Sequence, residues 1–532
     1  MQENIMIRRY PLYFMATLAY AVFYTICLYH NGSGITYPLF TAGTLVYFVV
    51  CLQQADIHRK KNSIWYFVAI ELLGISNCLT GDERILFLNK LGIFLLLLCF
   101  LLHTVYNDSK WNFTKYCGAV ITTLVLSLSC IARPVADALG YRGTKEQTDT
   151  GMKKQVKYVL LGLAVCIPVL LVVFPLLVSA DAVFESMFRD LFRGLSLNQT
   201  IIDAIRVILL TVCVFFFAYM LVAYLLKKEI REEVEEHAVH EPVIAITAAV
   251  VLSVVYLVFC GIQVVYLFFG ASGALTLPDG MTYSQYAREG FFQLLFVCLI
   301  NLVIVLCGMY LFRENKTLKL LLTVITGCTC IMTISSALRM ILYIQYQYLT
   351  FLRLFVLWSL AVISLLLIGV FVAIWKKAFP LFGYGMVVVT VCYLILSFSH
   401  VDYWIAKVNT ANMSQTTQWG FFKGTEVYAD TDFLSTELST DAFPAFITED
   451  DMQAYAKWKN GNGYQEYLAC EERLEEWSED YDEYLEAYDR YRRKNWKNMY
   501  LMNIEDKAAK AGIRNWNLSR AVAKKAFAEV DR

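Results

Sequence analysis

The chain has 532 residues, 58% of them hydrophobic and 17% charged, with a mean hydropathy of +0.50. A soluble domain carries about a quarter charged residues, so the composition excludes an ordinary soluble protein. The 46 Lys and Arg balance 46 Asp and Glu, and no soluble segment has a concentrated basic face, which argues against a nucleic-acid partner.

The apolar residues fall in runs of about 17–27 separated by short charged stretches, the length needed to cross about 30 Å of hydrocarbon. Backbone groups inside such runs must satisfy one another, which makes the runs helices. They lack the alternation that a β-barrel strand would show. In chain order the expected spans are Tyr10–Tyr29, Ile35–Leu52, Ile64–Leu79, Leu91–Tyr106, Tyr116–Ala132, Val156–Val178, Ile201–Leu226, Val243–Phe269, Phe291–Phe312, Leu318–Tyr343, Phe355–Trp375 and Gly383–Ser399. The third and fifth are short and polar. The first follows Arg8 and Arg9 but has no small-residue cleavage site, so it reads as a membrane helix and not a cleaved signal. Nearly all of the 15 cysteines lie within these runs, where Cys acts as a small apolar side chain.

After the last run the composition changes. Residues 400–532 carry 24 Asp and Glu against 17 Lys and Arg. Thr448-Glu-Asp-Asp451 has the form of a helix N-cap with an acidic first turn. From there to Met499 the pattern is helical, and Pro is absent after Pro444. The fold class is therefore all-α: a polytopic transmembrane bundle of about twelve spans with a small soluble helical C-terminal domain. The expected division is N-terminal membrane helices at 1–150, a core membrane bundle at 151–400 and a charged helical tail at 401–532.

Orientation follows from loop charge, since Lys and Arg accumulate on the cytoplasmic side. Lys153, Lys154 and Lys157, then Lys227, Lys228 and Arg231, then Arg313, Lys316 and Lys319, then Lys376 and Lys377 mark alternate loops. That pattern predicts an extracytoplasmic tail on a cell-membrane protein. The earlier Arg8–Arg9 and Arg59–Lys61 clusters vote the other way.

Four stretches together carry a resemblance. They are Ser179-Ala-Asp-Ala-Val-Phe184, Tyr283-Ser-Gln-Tyr-Ala-Arg-Glu-Gly-Phe-Phe292, Leu349-Thr-Phe-Leu-Arg353, and the set Ile405-Ala-x-x-Asn409, Asp432-Phe-Leu-x-x-Leu438 and Asp441-Ala-x-Pro444. In this order, over roughly residues 150 to 450, the chain resembles a family of multi-pass bacterial membrane proteins known only as a domain of unknown function. The chain departs from the family pattern at Glu289 and at Gln347-Tyr348. The resemblance implies a membrane location and supplies no activity.

A charge inside or beside a span is costly and usually has a task. Asp181, Arg288, Glu289, Arg339 and Arg353 all fall toward the same expected face, and a cluster of them would form an anion or headgroup site or a structural ion-pair network. Glu71, central in the third span, is the candidate intramembrane charge. Asp203 and Arg206 lie early in the seventh span. Pro168 and Pro175 break the sixth span just before Asp181.

Other motifs carry less. His237-Ala-Val-His240 could share a metal on a helix face, but no third ligand is evident, and the expectation is no metal and no cofactor. Gly270-Ala-Ser-Gly273 has the letters of an intramembrane serine protease, yet no His follows it until His400. Asp430, Asp432 and Glu449–Asp451 lack a full set of calcium ligands. No phosphate-cradling glycine loop is present, and no nucleophile–base pair can be assembled, so the enzyme question leans to no. The expected function is a non-catalytic envelope sensor or scaffold. It would act through the outer face and C-terminal domain, with the bilayer and an envelope protein or glycan as partners. The alternative is a secondary transporter or lipid flippase with a site near the proline-broken span.

Overall fold

The structure, a computed structural model, describes residues 3–109, 111–143, 176–184, 199–232, 240–271, 291–376, 378–411, 414–416, 426–428, 430–475, 490–509 and 512–530, with isolated positions at 159, 162, 166, 170, 173, 186, 187 and 488. Among these residues ten helices are long and apolar enough to cross a membrane: Tyr10–Leu28, Thr36–Gln53, Glu83–Val105, Phe113–Cys130, Thr200–Lys227, Pro242–Val265, Phe291–Leu311, Lys316–Gln345, Phe351–Trp375 and Leu381–Phe398. The helix Ile64–Leu79 is shorter, 16 residues, or about 24 Å at the α-helical rise. Most of the expected sixth span lies outside the described residues, as do Arg288, Glu289, Pro168, Pro175, His237 and Ser272. The molecule is a multi-pass helical membrane protein. Among the described residues the regular non-helical pairing is a two-stranded antiparallel ladder, Ser414–Thr416 with Glu426–Tyr428, and an isolated parallel bridge between His240 and Phe312.

The fourth span begins at Glu83, two turns before the expected Leu91. Those turns hold the polar residues Arg84, Asn89 and Lys90. In the structure Asn89 Nδ2 donates to Ser76 Oγ at 3.1 Å and to Asn77 Oδ1 at 3.3 Å, and Lys90 lies 5.9 Å from the Tyr37 ring centroid. Polar groups satisfied in this way do not stop a helix.

The chain forms two compact units, each discontinuous in sequence. The first comprises Met1–Cys78, Phe87–Val234 and Gly512–Trp516. Its helices Tyr10–Leu28 and Thr36–Gln53 are joined by stacked rings of Tyr20 and Tyr47, 4.4 Å between centroids, and by Thr17 Oγ1 and Tyr47 OH at 2.9 Å. Thr25 Oγ1 lies 3.0 Å from Thr211 Oγ1 of Gln199–Lys227. The short segment 512–516 lies over the first loop: Arg514 donates to the Tyr29 carbonyl. Gly34, at φ +139°, leaves no room for a Cβ beneath the Asn515 backbone, and only glycine takes that conformation without strain. At a different loop, Asp108 gathers His103 Nδ1 at 2.7 Å, Lys60 Nζ at 3.3 Å and the Tyr116 hydroxyl.

The second unit comprises Leu79–Leu86, Glu235–Ala511 and Asn517–Arg532. Its membrane helices pack through small buried clusters, with Ile325, Leu322, Val305 and Ile374 in one and Cys298, Cys260, Cys328 and Met332 in another. Inside the bundle Tyr256 OH donates to Asn301 Oδ1 at 2.7 Å, and Asn301 Nδ2 to Thr329 Oγ1 at 3.0 Å. The tail helices Thr431–Thr436, Glu449–Asn460, Trp496–Ala509 and Leu518–Val530 close around Leu434, Phe443, Met452, Tyr500, Ile504 and Ala523. That core is continuous with Leu396 at the end of the last span and with Ile85. The N-cap at Thr448 forms a complete capping box with Asp451.

Candidate functional site

Where the tail core meets the end of the last span, five ionisable side chains lie together in the second unit. Three are carboxylates removed from water: the side chains of Asp402 and Asp441 are 0% exposed and that of Asp82 2%. Burying a charge is expensive unless it is paired and hydrogen-bonded, and each of these is.

The loop Thr80–Asp82 supplies one side. Asp82 caps the first turn of Glu83–Val105: its Oδ1 accepts from Arg84 N and from Arg84 Nε, both at 2.9 Å. Arg84 then reaches on, its Nη2 donating to Asp402 Oδ1 at 2.6 Å, while its guanidinium lies 4.2 Å from the centroid of the Phe351 ring. One cation thus serves two carboxylates. The second oxygen of Asp402 accepts the Ser439 backbone N–H at 2.9 Å, and Ser439 in turn is fixed by Tyr500, whose hydroxyl donates to its carbonyl at 2.8 Å.

Asp441 is held from the same loop. Its Oδ1 accepts from Gly81 N at 2.6 Å, its Oδ2 accepts from the Thr80 hydroxyl, and His400 Nδ1 approaches Oδ2 to 3.4 Å. A Cβ at Gly81 would collide with Thr440 Oγ1, so any larger residue there displaces that side chain. The last helix closes the site: Asn517 Nδ2 donates to the Thr80 carbonyl at 2.7 Å and Ser519 Oγ to Thr440 Oγ1 at 2.8 Å. His400 connects two helices with φ +47°, a left-handed conformation that costs a non-glycine residue free energy.

These surroundings set the protonation states. Burial pushes the Asp402 pKa up to about 6, helped by the nearby Asp82 charge and opposed by Arg84. Burial also disfavours the Asp441 carboxylate, but hydrogen bonds from His400, Ser519, Thr80 and Gly81 outweigh it and hold its pKa below the usual value. The hydrogen bond to Asp441 raises the His400 pKa against its own burial.

A second polar knot pins the neighbouring turn. Asn409 Nδ2 donates to the Leu349 carbonyl at 2.8 Å and its Oδ1 accepts from Leu349 N at 3.0 Å, so one side chain stands in for a strand partner. Tyr348, at φ +71°, donates from its hydroxyl to Asp430 Oδ2 at 2.8 Å. Arg353 donates to the Tyr348 carbonyl and lies 4.5 Å from the Tyr343 ring centroid.

Of the residues expected from sequence to form one cluster, Asp181, Arg339 and Arg353 each have partners among the described residues. Asp181, in the first unit, is exposed and caps its own helix through Val183 N at 2.7 Å and Phe184 N at 3.2 Å. Arg339 donates to Gln263 Oε1 at 3.2 Å, and Arg353 belongs to the Tyr348 turn. Arg288 and Glu289 lie outside the described residues. Glu71 accepts from Thr41 Oγ1 at 2.8 Å, and Asp203 pairs with Arg206 at 3.3 Å. Asp430 and Asp451 act as helix-capping groups.

Sequence reading missed Asp82, Arg84, His400 and Asp402, and quoted Asp441 only as part of a motif. The available signal was two short polar runs directly abutting apolar ones, Thr80-Gly-Asp-Glu-Arg84 and His400-Val-Asp402.

The fold and this site define a polytopic helical membrane protein whose C-terminal helical segments are tied to the end of the last span by buried charge. A family model matches residues 67–449, from the third apolar helix to the first turn of Glu449–Asn460. The chain belongs to that family, described as a domain of unknown function (DUF4153). Among curated proteins and among solved structures, none matches the chain significantly.

Proposed function

We propose that this chain is a non-catalytic membrane scaffold or sensor that works through its tail domain, residues 401–532, on the outer face of the cell membrane. The observation that carries this reading is the closure of the buried charge network. Both oxygens of Asp402, both of Asp441 and both of Asp82 accept hydrogen bonds from groups of the chain itself. A carboxylate acting as acid, base or nucleophile needs an oxygen within reach of substrate. Here the oxygens hold loop, span end and tail in one geometry, as a rigid presenting surface requires. The placement outside rests on the basic loops at Lys227–Arg231, Arg313–Lys319 and Lys376–Lys377.

The test is photo-crosslinking in intact cells from exposed tail positions such as Lys457 and Lys525. A discrete envelope protein or glycan captured from these positions supports the reading. Solute or lipid flux by the purified chain in proteoliposomes, abolished by Asp402→Asn, would overturn it in favour of a transporter.

A further inference from the structure

Between the helices Pro242–Ala271, Phe291–Leu311 and Lys316–Gln347 of the second unit runs a groove of about 350 Å³. Its walls are apolar, with Val255, Phe259, Leu294, Val297 and Met332 facing it. Three long polar side chains also line it: Gln263, Gln293 and Arg339. Gln263 Oε1 accepts from Ser335 Oγ at 2.7 Å and from Arg339 Nη2 at 3.2 Å, so two of the polar side chains that line the groove are joined.

Helix rise fixes the depth of these groups. Arg339 lies 20 positions beyond Lys319, about 30 Å along the helix, one hydrocarbon thickness. Gln293 stands about 27 Å from Leu311 and Gln263 about 32 Å from Pro242, near the far ends of the spans Phe291–Leu311 and Pro242–Val265. The ends opposite these groups, at Pro242 and Leu311, are tied together, since His240 N donates to the Leu311 carbonyl at 3.3 Å and Arg313 N to the His240 carbonyl at 3.1 Å. They carry Arg313, Lys316 and Lys319, the basic rim that marks one headgroup layer. Gln263, Gln293 and Arg339 therefore sit together at the opposite headgroup boundary, with the apolar walls running from them into the hydrocarbon.

From this arrangement we infer that the groove is a binding site for an acidic phospholipid, its phosphate on Arg339 with Gln293 alongside and one acyl chain along Val255, Leu294, Val297 and Met332. A cation between membrane helices at headgroup depth suits an anionic headgroup, and apolar walls below a few convergent polar groups suit an amphiphile. The site is independent of the scaffold reading: lipid can hold at Arg339 whatever the tail does.

The experiment uses the full chain purified in a neutral detergent and native mass spectrometry with phosphatidylglycerol and phosphatidylcholine of identical acyl chains. The expected result is retention of phosphatidylglycerol over phosphatidylcholine by about fivefold, the worth of one interfacial cation. Arg339→Gln, which keeps a hydrogen-bonding partner for Gln263, brings the ratio to one. Val297→Trp, which fills the groove, lowers retention of both lipids, and a soluble glycerol phosphate displaces neither. Equal retention of the two lipids by the unaltered chain overturns the inference, as does an unchanged ratio in Arg339→Gln. Displacement by glycerol phosphate also overturns it, because the occupant would then be a free anion. If Arg339→Gln does not fold, Val297→Trp decides alone: undiminished lipid retention in that variant overturns the site.

Discussion

Arg84 and Asp402, separated by 318 positions in the chain, meet at 2.6 Å with the Asp402 side chain wholly out of water. Removing one member of a buried pair leaves the other charge uncompensated, at a cost of about 3–5 kcal/mol. Arg84→Met strands both Asp82 and Asp402 and is expected to lower the thermal unfolding midpoint of the detergent-solubilised protein strongly. Asp402→Asn leaves Arg84 paired with Asp82 and is expected to cost much less. Equal midpoints for Arg84→Met and the unaltered chain would contradict the assignment of this pair as a structural lock.

The same network makes stability depend on pH. Asp402 has its pKa raised from 3.8 to about 6, so its contribution is complete below 3.8 and is lost as pH rises through about 6. His400 is also raised, from 6.5; its contribution is complete below that value and is lost at higher pH. Asp441 is lowered, so its contribution appears above 3.8 and persists to neutrality. The unfolding midpoint should therefore fall between pH 5 and pH 8, on the order of a few degrees. Asp402→Asn should flatten the lower part of the decline and His400→Gln the upper part. A midpoint that rises over this interval would refute the sign.

Gly81→Ala places a methyl group against Thr440 Oγ1, which must give way and with it the hydrogen bond from Ser519. Overpacking of this kind costs about 1–3 kcal/mol. Gly118→Ala, where nothing lies within 4 Å of the new Cβ, is the control, expected to leave the unfolding midpoint close to that of the unaltered chain.

Cys470 is the one cysteine after residue 400 and is partly exposed on the helix Asn462–Glu475. With the tail outside, a membrane-impermeant maleimide added to intact cells labels the chain, and Cys470→Ser abolishes the labelling. Labelling that appears only after the cells are broken would place the tail inside.

The apolar runs and the Thr448 cap were legible because each is a local signal, a length or a three-residue spacing. Ile64–Leu79 was read to the residue for that reason. The start of Glu83–Val105 was not, because Arg84 and Asn89 look like loop residues until their partners are known. The lock itself was invisible: Thr80, Asp402, Asp441 and Asn517 form no motif, and their meeting is a property of the folded chain. Asp181 and Arg353, which do stand in recognisable stretches, have a helix cap and a turn carbonyl among their contacts. Sequence stretches that look distinctive report geometry as readily as chemistry.

Asn517 donates to the Thr80 carbonyl across 437 positions, and this has a consequence for biogenesis. At about 5–20 residues per second, the ribosome takes roughly 20–90 s to deliver the last partner after the loop has emerged. During that interval the loop's acid is not left alone, because Asp82 already has Arg84 two residues away. The early loop thus leaves the ribosome with its own counter-charge and waits, half assembled, for Asn517 and Ser519 to complete it.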